Sequence, residues 1–441
     1  MASDLVIRLS ELGPLQSAIR YYYAEVGAQQ AAQTANEGFA GSGAALVHIE
    51  ESESGDPEAP IVKLLSSLLD RAVSTGASDI HIEPFEGKTR VRMRIDGTIV
   101  DYVTLERSVH QPLIARIKIM ANLDIAERRL PQDGHFRIRA GQEGHVNIRV
   151  SLLPTVFGEK AVLRILAAAG HVDHAEHFGM DDDSYARFLP MLSSPNGIIY
   201  LTGPTGSGKS TTLYMVLEYL SRRQVNISTV EDPVEQNVPG INQTQVNPVA
   251  GLTFESGLRA LLRQDPDIIM VGETRDGETA GISVRAAITG HLVLSTLHTN
   301  DAVSSVVRLA DMGVDRYLIA NSLVGLVAQR LMRKVCPHCA REAAVTPQEQ
   351  TLLGRDIRTV RRGAGCRHCN GTGYRGRVAV HEIVAVDRSI RRMISRGAEA
   401  EEIEAYAREH QGMKSLREKG LELVREGVTT PEELLRIAYY A

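Results

Sequence analysis

A chain of 441 residues, 43% hydrophobic and 23% charged, has material for about three compact domains and more than one core. Its formal net charge of −5 gives no overall pull toward a phosphate backbone, which argues against bulk nucleic-acid binding. The longest apolar runs, at 197–201 and 268–271, are strand-sized where a spanning helix needs ~18 apolar residues, and residues 1–10 carry Asp4 and Arg8 in place of a signal-peptide core, so a soluble, cytoplasmic protein is expected.

Taken in chain order, residues 1–57 join a short apolar-periodic stretch to a small-residue, acidic tract ending at Pro57, a linker composition expected to be mobile in its second half. Ile61, Leu64, Leu65, Leu68, Leu69, Ala72 and Val73 fall on one face at helical spacing and predict an amphipathic helix stopping near Gly76. The period then changes to two. Ile80 and Ile82 predict a strand; Val91, Met93 and Ile95 lead into an Asp96-Gly97 turn and a hairpin. A helix over 112–123 and alternating strands at 136–139, 146–150 and 161–165 complete one α+β domain over 58–168. A polar connector, 169–185, holds His171, His174 and His177. Beyond it, over 186–441, strands alternate with helices, the pattern of a parallel sheet covered by helices.

Gly203-Pro204-Thr205-Gly206-Ser207-Gly208-Lys209-Ser210 completes a Walker A pattern after an apolar strand, and Thr211 opens the following helix. The glycines let backbone N–H groups curl round phosphate oxygens at a helix N-terminus. Lys209 is placed to bridge the β- and γ-phosphates of ATP, and the Ser210 hydroxyl to hold Mg²⁺. The apolar run before Glu273 predicts a strand beside the P-loop strand, delivering a carboxylate that activates water. Glu231, Asp232 and Glu235 form a second acidic cluster after another strand. His291 and His298 flank a third strand; His298 reads as a phosphate sensor and His291 equally well as a structural residue.

Cys336-Pro-His-Cys339 and Cys366-Arg-His-Cys369 are paired C-x-x-C knuckles. In a reducing compartment this points to structural Zn²⁺ rather than disulfides, with four thiolates closing a tetrahedral site over 336–369. His338 and His368 lie inside the knuckles as competing ligands. Thr430-Pro-Glu-Glu433 predicts a capping box opening a C-terminal helix.

Together, the Walker A run, Glu231-Asp-Pro-Val-Glu235, Arg263-Gln-Asp-Pro-Asp267 through Gly272-Glu273-Thr-Arg275-Asp276, and Thr289-Gly-His291 to His298-Thr-Asn300 resemble the Walker A, Asp box, Walker B and His box of the type II/type IV secretion ATPase superfamily. Ala77-Ser-Asp-Ile-His81-Ile-Glu-Pro84, Arg94-Ile-Asp-Gly97 and Pro131-Gln-Asp-Gly134 are similar to its N-terminal domain, with His135 where many relatives carry Arg. The resemblance covers about 60–441. It implies a RecA-like P-loop ATPase domain preceded by a PAS-like α+β domain, with the tetracysteine zinc module inserted. It implies ring hexamers in which arginines from both domains serve the nucleotide: Arg149 and Arg164 from the first, Arg259 and Arg263 from the second, the latter pair one helical turn apart. Partners would be the inner-membrane platform and cytoplasmic-domain proteins of a secretion or pilus machine, with the membrane reached only through them and no direct nucleic-acid contact. The cysteine module is shared by secretion and pilus-extension members and generally absent from retraction members. Type II secretion is the favoured reading, and pilus assembly is the alternative. A DNA translocase and a non-hydrolysing nucleotide-gated adaptor rank lower. The region before residue 58 is shorter than in typical members.

Overall fold

The structure, a computed structural model, describes residues 30–36, 60–139, 145–166, 172, 174–354, 356–369 and 371–438. The chain divides between Gly170 and His171 into two compact units. Of the segment 1–57 only a helical stretch at 30–36 (α1) is described; the expected mobile tract and His171 lie outside the described residues.

In the first unit, α2 (Pro60–Ser74) buries Leu64, Leu65, Leu68, Leu69 and Ala72, the face given by their spacing. A six-stranded antiparallel sheet follows in the order β3-β2-β1-β6-β5-β4. Its strands are β1 (Ala77–Phe85), β2 (Lys88–Ile95), β3 (Thr98–Glu106), β4 (Gln132–Arg139), β5 (His145–Thr155) and β6 (Gly158–Leu166). α3 (Arg107–Met120) starts well before Pro112, where the helix was expected to begin. Proline there forfeits one backbone hydrogen bond, but buried Val109, Leu113, Ile114 and Ile117 hold the helix against the sheet. β5 also outruns its predicted end. Its pairing with β4 stops at Leu152, so Pro154 sits on a free edge where a missing N–H costs nothing to the ladder.

Residues 174–185, expected as a connector, are built into the second unit. A single turn (Ala175–His177) and α4 (Asp182–Phe188) flank Phe178 and Met180, both buried in its core. Two apolar residues separated by a glycine give too little periodicity to reveal this. The sheet runs β15-β12-β7-β11-β10-β8-β9. Its strands are β7 (Gly197–Thr202), β8 (Ile227–Glu231), β9 (Asn242–Gln245), β10 (Ile268–Val271), β11 (Leu292–Leu297), β12 (Leu323–Val335) and β15 (Tyr374–Ala385). All pairs are parallel except β12 with β15. Every residue of β7, β8, β10 and β11 is buried, which explains their unbroken apolar runs: both faces are covered, by α5 (Lys209–Ser221), α6 (Phe254–Leu261), α7 (Gly277–Ile288) and further helices. β13 (Ala340–Ala344) and β14 (Thr359–Gly363) form a separate hairpin between the two cysteine knuckles.

The C-terminal helix Pro431–Ala438 forms, but only half of its capping box does. The Glu433 N–H donates to Thr430 Oγ1 at 3.4 Å, while the Glu433 carboxylate turns inward and accepts from the Arg333 backbone N–H at 2.9 Å and the guanidinium at 2.7 Å. A buried ion pair has taken the residue that local helix chemistry would have used.

His381 of β15 is fully buried, and among the described residues neither ring nitrogen has a hydrogen-bond partner. Burial pushes its imidazole from 6.5 down to about 4, Asp181 opposing and Lys419 adding to the shift. Between those values the unfolded chain takes up a proton that the folded chain refuses. This contribution is therefore complete above about pH 6.5 and declines as pH falls toward 4, by about 3 kcal/mol in all. From pH 7 to pH 5, urea unfolding should show wild type losing about 2 kcal/mol more than His381→Leu. Equal losses would mean the imidazole is not held neutral.

Candidate functional site

β7 ends at Thr202 and the chain turns through Gly203–Gly208 into α5. Gly203 (φ +149°) and Gly208 (φ +89°) press against β12: a Cβ on the first would stand 2.5 Å from the Gln329 carbonyl oxygen, and on the second 2.9 Å from Gln329 Nε2. Only glycine fits both the backbone angles and the approach. Gly208 caps α5 without a side chain, so the N–H groups of Lys209, Ser210 and Thr211 form an open, electropositive helix end. Pro204, Thr205 and Gly206 are exposed at the tip, and Ser207 is buried with no partner for its hydroxyl among the described residues. Lys209 Nζ donates to Gly203 O at 2.7 Å and Pro204 O at 3.1 Å. Burial pushes its ammonium down to about 8, with Glu273 opposing.

Glu273 follows β10, but β10 is not the neighbour of β7: β11 lies between them. Chain order does not determine sheet order, and here it is His298, at the end of β11, that stands next to the P-loop strand. Glu273 pairs with Arg275 at 2.5 Å and lies 3.8 Å from His298 Nε2. Burial and the Lys209 charge hold His298 below the ordinary histidine range, against the pull of Glu273. Lys209, Glu273 and His298 thus share one electrostatic field.

Glu231 does not join them. It is buried, and its carboxylate accepts from Thr229 Oγ1 at 2.5 Å, Gln243 Nε2 at 3.1 Å and the Tyr214 hydroxyl. Among the described residues it makes no hydrogen bond or ion pair with Lys209, Glu273 or His298. Arg259 is held by Glu255 at 2.9 Å and Glu278 at 3.1 Å. α6 ends at Leu261, so Arg263 lies past it and donates to Arg259 O at 2.8 Å; the expected common helix face is not formed. His291 Nδ1 meets Ala286 O at 2.9 Å, a structural role.

In the first unit, Arg149 and Arg164 are directly opposite across β5 and β6 on one exposed face. Arg164 bonds Asp79 at 3.0 Å, and Asp79 also faces Arg94 at 3.6 Å. Arg149 has no ion pair among the described residues. Like charges placed opposite each other are unfavourable, and the carboxylate beside this pair, Asp79, is shared with Arg94.

Gln329 and Arg330 of β12 were not singled out from the sequence, although two polar residues inside an apolar strand were a visible signal. Gln329 accepts from Thr212 Oγ1 at 3.0 Å and donates to Ser207 O at 2.9 Å, tying the P-loop to the sheet. Thr202 and Thr299 add a second tie, from Thr299 N–H to Thr202 Oγ1 at 2.8 Å.

The four cysteine Sγ atoms lie within 4.8 Å of one another. Cys336–Cys366 and Cys339–Cys369 are 3.8 Å apart and Cys366–Cys369 3.7 Å. Tetrahedral Zn–S bonds of about 2.3 Å require ~3.8 Å between sulfurs, so the cluster has the right size for that ion. Backbone N–H groups of Cys366 and Gly373 point at Cys369 Sγ, each at 3.2 Å, as a thiolate would favour. His338 and His368 stack on each other at 3.9 Å and are exposed outside the cluster, so they do not compete.

A family described as "Type II/IV secretion system protein" matches residues 54–436. The chain is 49% identical over 383 residues to "Type IV pilus assembly ATPase PilB" of Thermus thermophilus, covering 86% of this chain and 43% of that protein. It is 44% identical over 391 residues to "Type II secretion system ATPase E" of Vibrio cholerae, covering 88% and 77%. Among solved structures, the Legionella pneumophila ATPase DotB is similar with a TM-score of 0.63 at 21% identity, covering 89% of this chain and 98% of its own. The pilus retraction motor PilT with bound ADP gives 0.57 at 25%, covering 84% and 95%. With its P-loop, its acidic strand end and this kinship, the chain belongs to the type II/IV secretion system protein family, as one of its ATPases.

Proposed function

We propose that the chain is the hexameric motor of a type II secretion machine, hydrolysing ATP to ADP and phosphate to power pseudopilus assembly. The observation that carries this is Lys209 resting on Gly203 O and Pro204 O, in the field of Glu273 and His298, in a chain of this family. Backbone N–H groups of 206–211 cradle the phosphates and Lys209 turns to them. The Ser210 hydroxyl would hold Mg²⁺, which would supply charge compensation at the phosphates when bound. Glu273, released from Arg275, orients the attacking water, and neutral His298 donates to the phosphate. Arg149 and Arg164 serve the nucleotide in the assembled ring; their paired positive charge suits that role. Arg259 and Arg263 remain candidates through exchange of their present partners, and Glu231 supports the strand end from inside.

The first unit is PAS-like and the second RecA-like in this reading, and the cysteines hold structural Zn²⁺. The motor works at the cytoplasmic side of the inner membrane through platform and cytoplasmic-domain proteins. No described helix is long and apolar enough to cross a membrane. Type IV pilus assembly is the second reading, supported by the 49% identity to PilB. Phosphate release by the purified protein tests the motor reading. Turnover per subunit should rise with protein concentration as rings form, Glu273→Gln should cut it at least ~100-fold while nucleotide still binds, and DNA should add nothing. Glu273→Gln at the wild-type rate, or strong stimulation by DNA, would refute it.

A further inference from the structure

Arg330 is a buried charge without an ion-pair partner among the described residues. The residue is 5% exposed, and among the described residues Nε and Nη1 have no hydrogen-bond partner. Nη2 is engaged, donating to Asn300 O at 3.1 Å and Asn300 Oδ1 at 3.4 Å. Asp301 and Glu382 act on it electrostatically, but neither forms an ion pair with it within 4.0 Å among the described residues. An arrangement of this kind is costly and persists where another state of the protein completes it.

The missing partners are close by. Nη1 lies 3.2 Å from where a Cβ on Gly203 would stand, so the guanidinium sits directly under the first turn of the P-loop. The carbonyl oxygens of that turn, Gly203 O and Pro204 O, are held by Lys209 Nζ. When Lys209 turns to phosphate, two acceptors lose their donor beside a guanidinium with two unused donors. The other end of Arg330 grips Asn300, two residues past His298, and Thr299 is already tied to Thr202 at the end of β7.

We infer that Arg330 is a positioning residue for ATP turnover, taking over the P-loop carbonyls that Lys209 vacates and carrying that change through Asn300 to His298. It acts through the P-loop and the 298–301 loop, without touching the nucleotide. The inference rests on the ATPase reading of the same site.

Arg330→Met separates this role from a structural one. Removing a buried charge that forms no ion pair should leave the melting temperature of the protein without added nucleotide equal to wild type or higher. The rise in melting temperature on adding MgATP or MgADP should shrink. KM for ATP should increase about tenfold or kcat fall by a similar factor, since one or two charge-assisted hydrogen bonds are lost from the bound state only. Arg330→Lys keeps the charge without the fork, and serves if the methionine variant does not fold. A full wild-type nucleotide shift in either variant overturns the inference, as does a fall in the nucleotide-free melting temperature with the shift preserved. Absence of any nucleotide shift or turnover in the wild type would instead indict the ATPase reading.

Discussion

Lys209→Ala should reduce ATP turnover by two to three orders of magnitude while leaving the fold intact. Among the described residues the ammonium hydrogen-bonds only Gly203 O and Pro204 O; Pro204 is exposed, so truncation strands at most one buried acceptor, Gly203 O. In the bound state the same group neutralises charge building on the transferring phosphoryl. Charge-assisted hydrogen bonds contribute about 1.5–3 kcal/mol each, and each 1.36 kcal/mol of barrier is tenfold in rate. The loss therefore falls on turnover and nucleotide affinity, measured by phosphate release and fluorescent-ADP titration. Burial adds a pH signature. Lys209 is held down at about 8 when free, whereas bound polyphosphate stabilises its charged form and raises it. Below about pH 8 the free protein already carries the proton and affinity is flat. Above it, binding must take up a proton, and affinity falls by up to about tenfold per pH unit until the bound-state value is reached. The slope should vanish in Lys209→Ala. A variant with wild-type turnover, or a wild-type affinity with no decline between pH 8 and 9.5, would remove Lys209 from the phosphate site.

Features that repeat or complete a local rule were legible in the sequence. The apolar face of α2 and the P-loop with its helix each need neighbours only a few residues away, and the four cysteines, though the two knuckles lie thirty residues apart, repeat one local rule twice; each appears where the spacing puts it. Features decided by long-range contacts were not. Glu231 looked like Glu273, a carboxylate at a strand end, but Tyr214 and Gln243 come from other elements to occupy it. Arg259 and Arg263 had helical spacing, but the helix stops between them. The capping acid Glu433 is captured by Arg333, a hundred residues upstream. Arg330 lay in an apolar strand whose register against the P-loop exists only once β12 pairs with β7. Local chemistry identified which groups were present; sheet order determined which of them meet.

Loss of any one of the four cysteines should empty the proposed zinc site and loosen the module around it. Cys336→Ser and Cys369→Ser are the informative variants because both positions are buried and fix the knuckle backbones: Cys336 N–H donates to Gly373 O at 2.9 Å, and Cys369 Sγ receives two backbone N–H groups. Between the knuckles, β13 and β14 form only a two-stranded hairpin, too small to be stable alone, with mostly exposed or half-buried side chains. Val360 of β14 and Leu353 of the intervening helix Pro347–Leu353 anchor the far part of this insert in the core, so the part that depends on the attachment of its two ends is the stretch next to the knuckles. Structural zinc supplies about 10–16 kcal/mol of apparent binding free energy at neutral pH, which in so small a module is folding free energy. Zinc content by atomic absorption should drop from about one per chain to near zero in either variant, and limited proteolysis should then cut within 340–365. Acid should reproduce the effect as the thiolates protonate, and a strong chelator should do so at pH 7. Buried strands β7, β10 and β11 do not depend on the module, so far-ultraviolet circular dichroism should change little. A serine variant that keeps stoichiometric zinc and the wild-type cleavage pattern would show that the four sulfurs, though correctly spaced, do not share an ion.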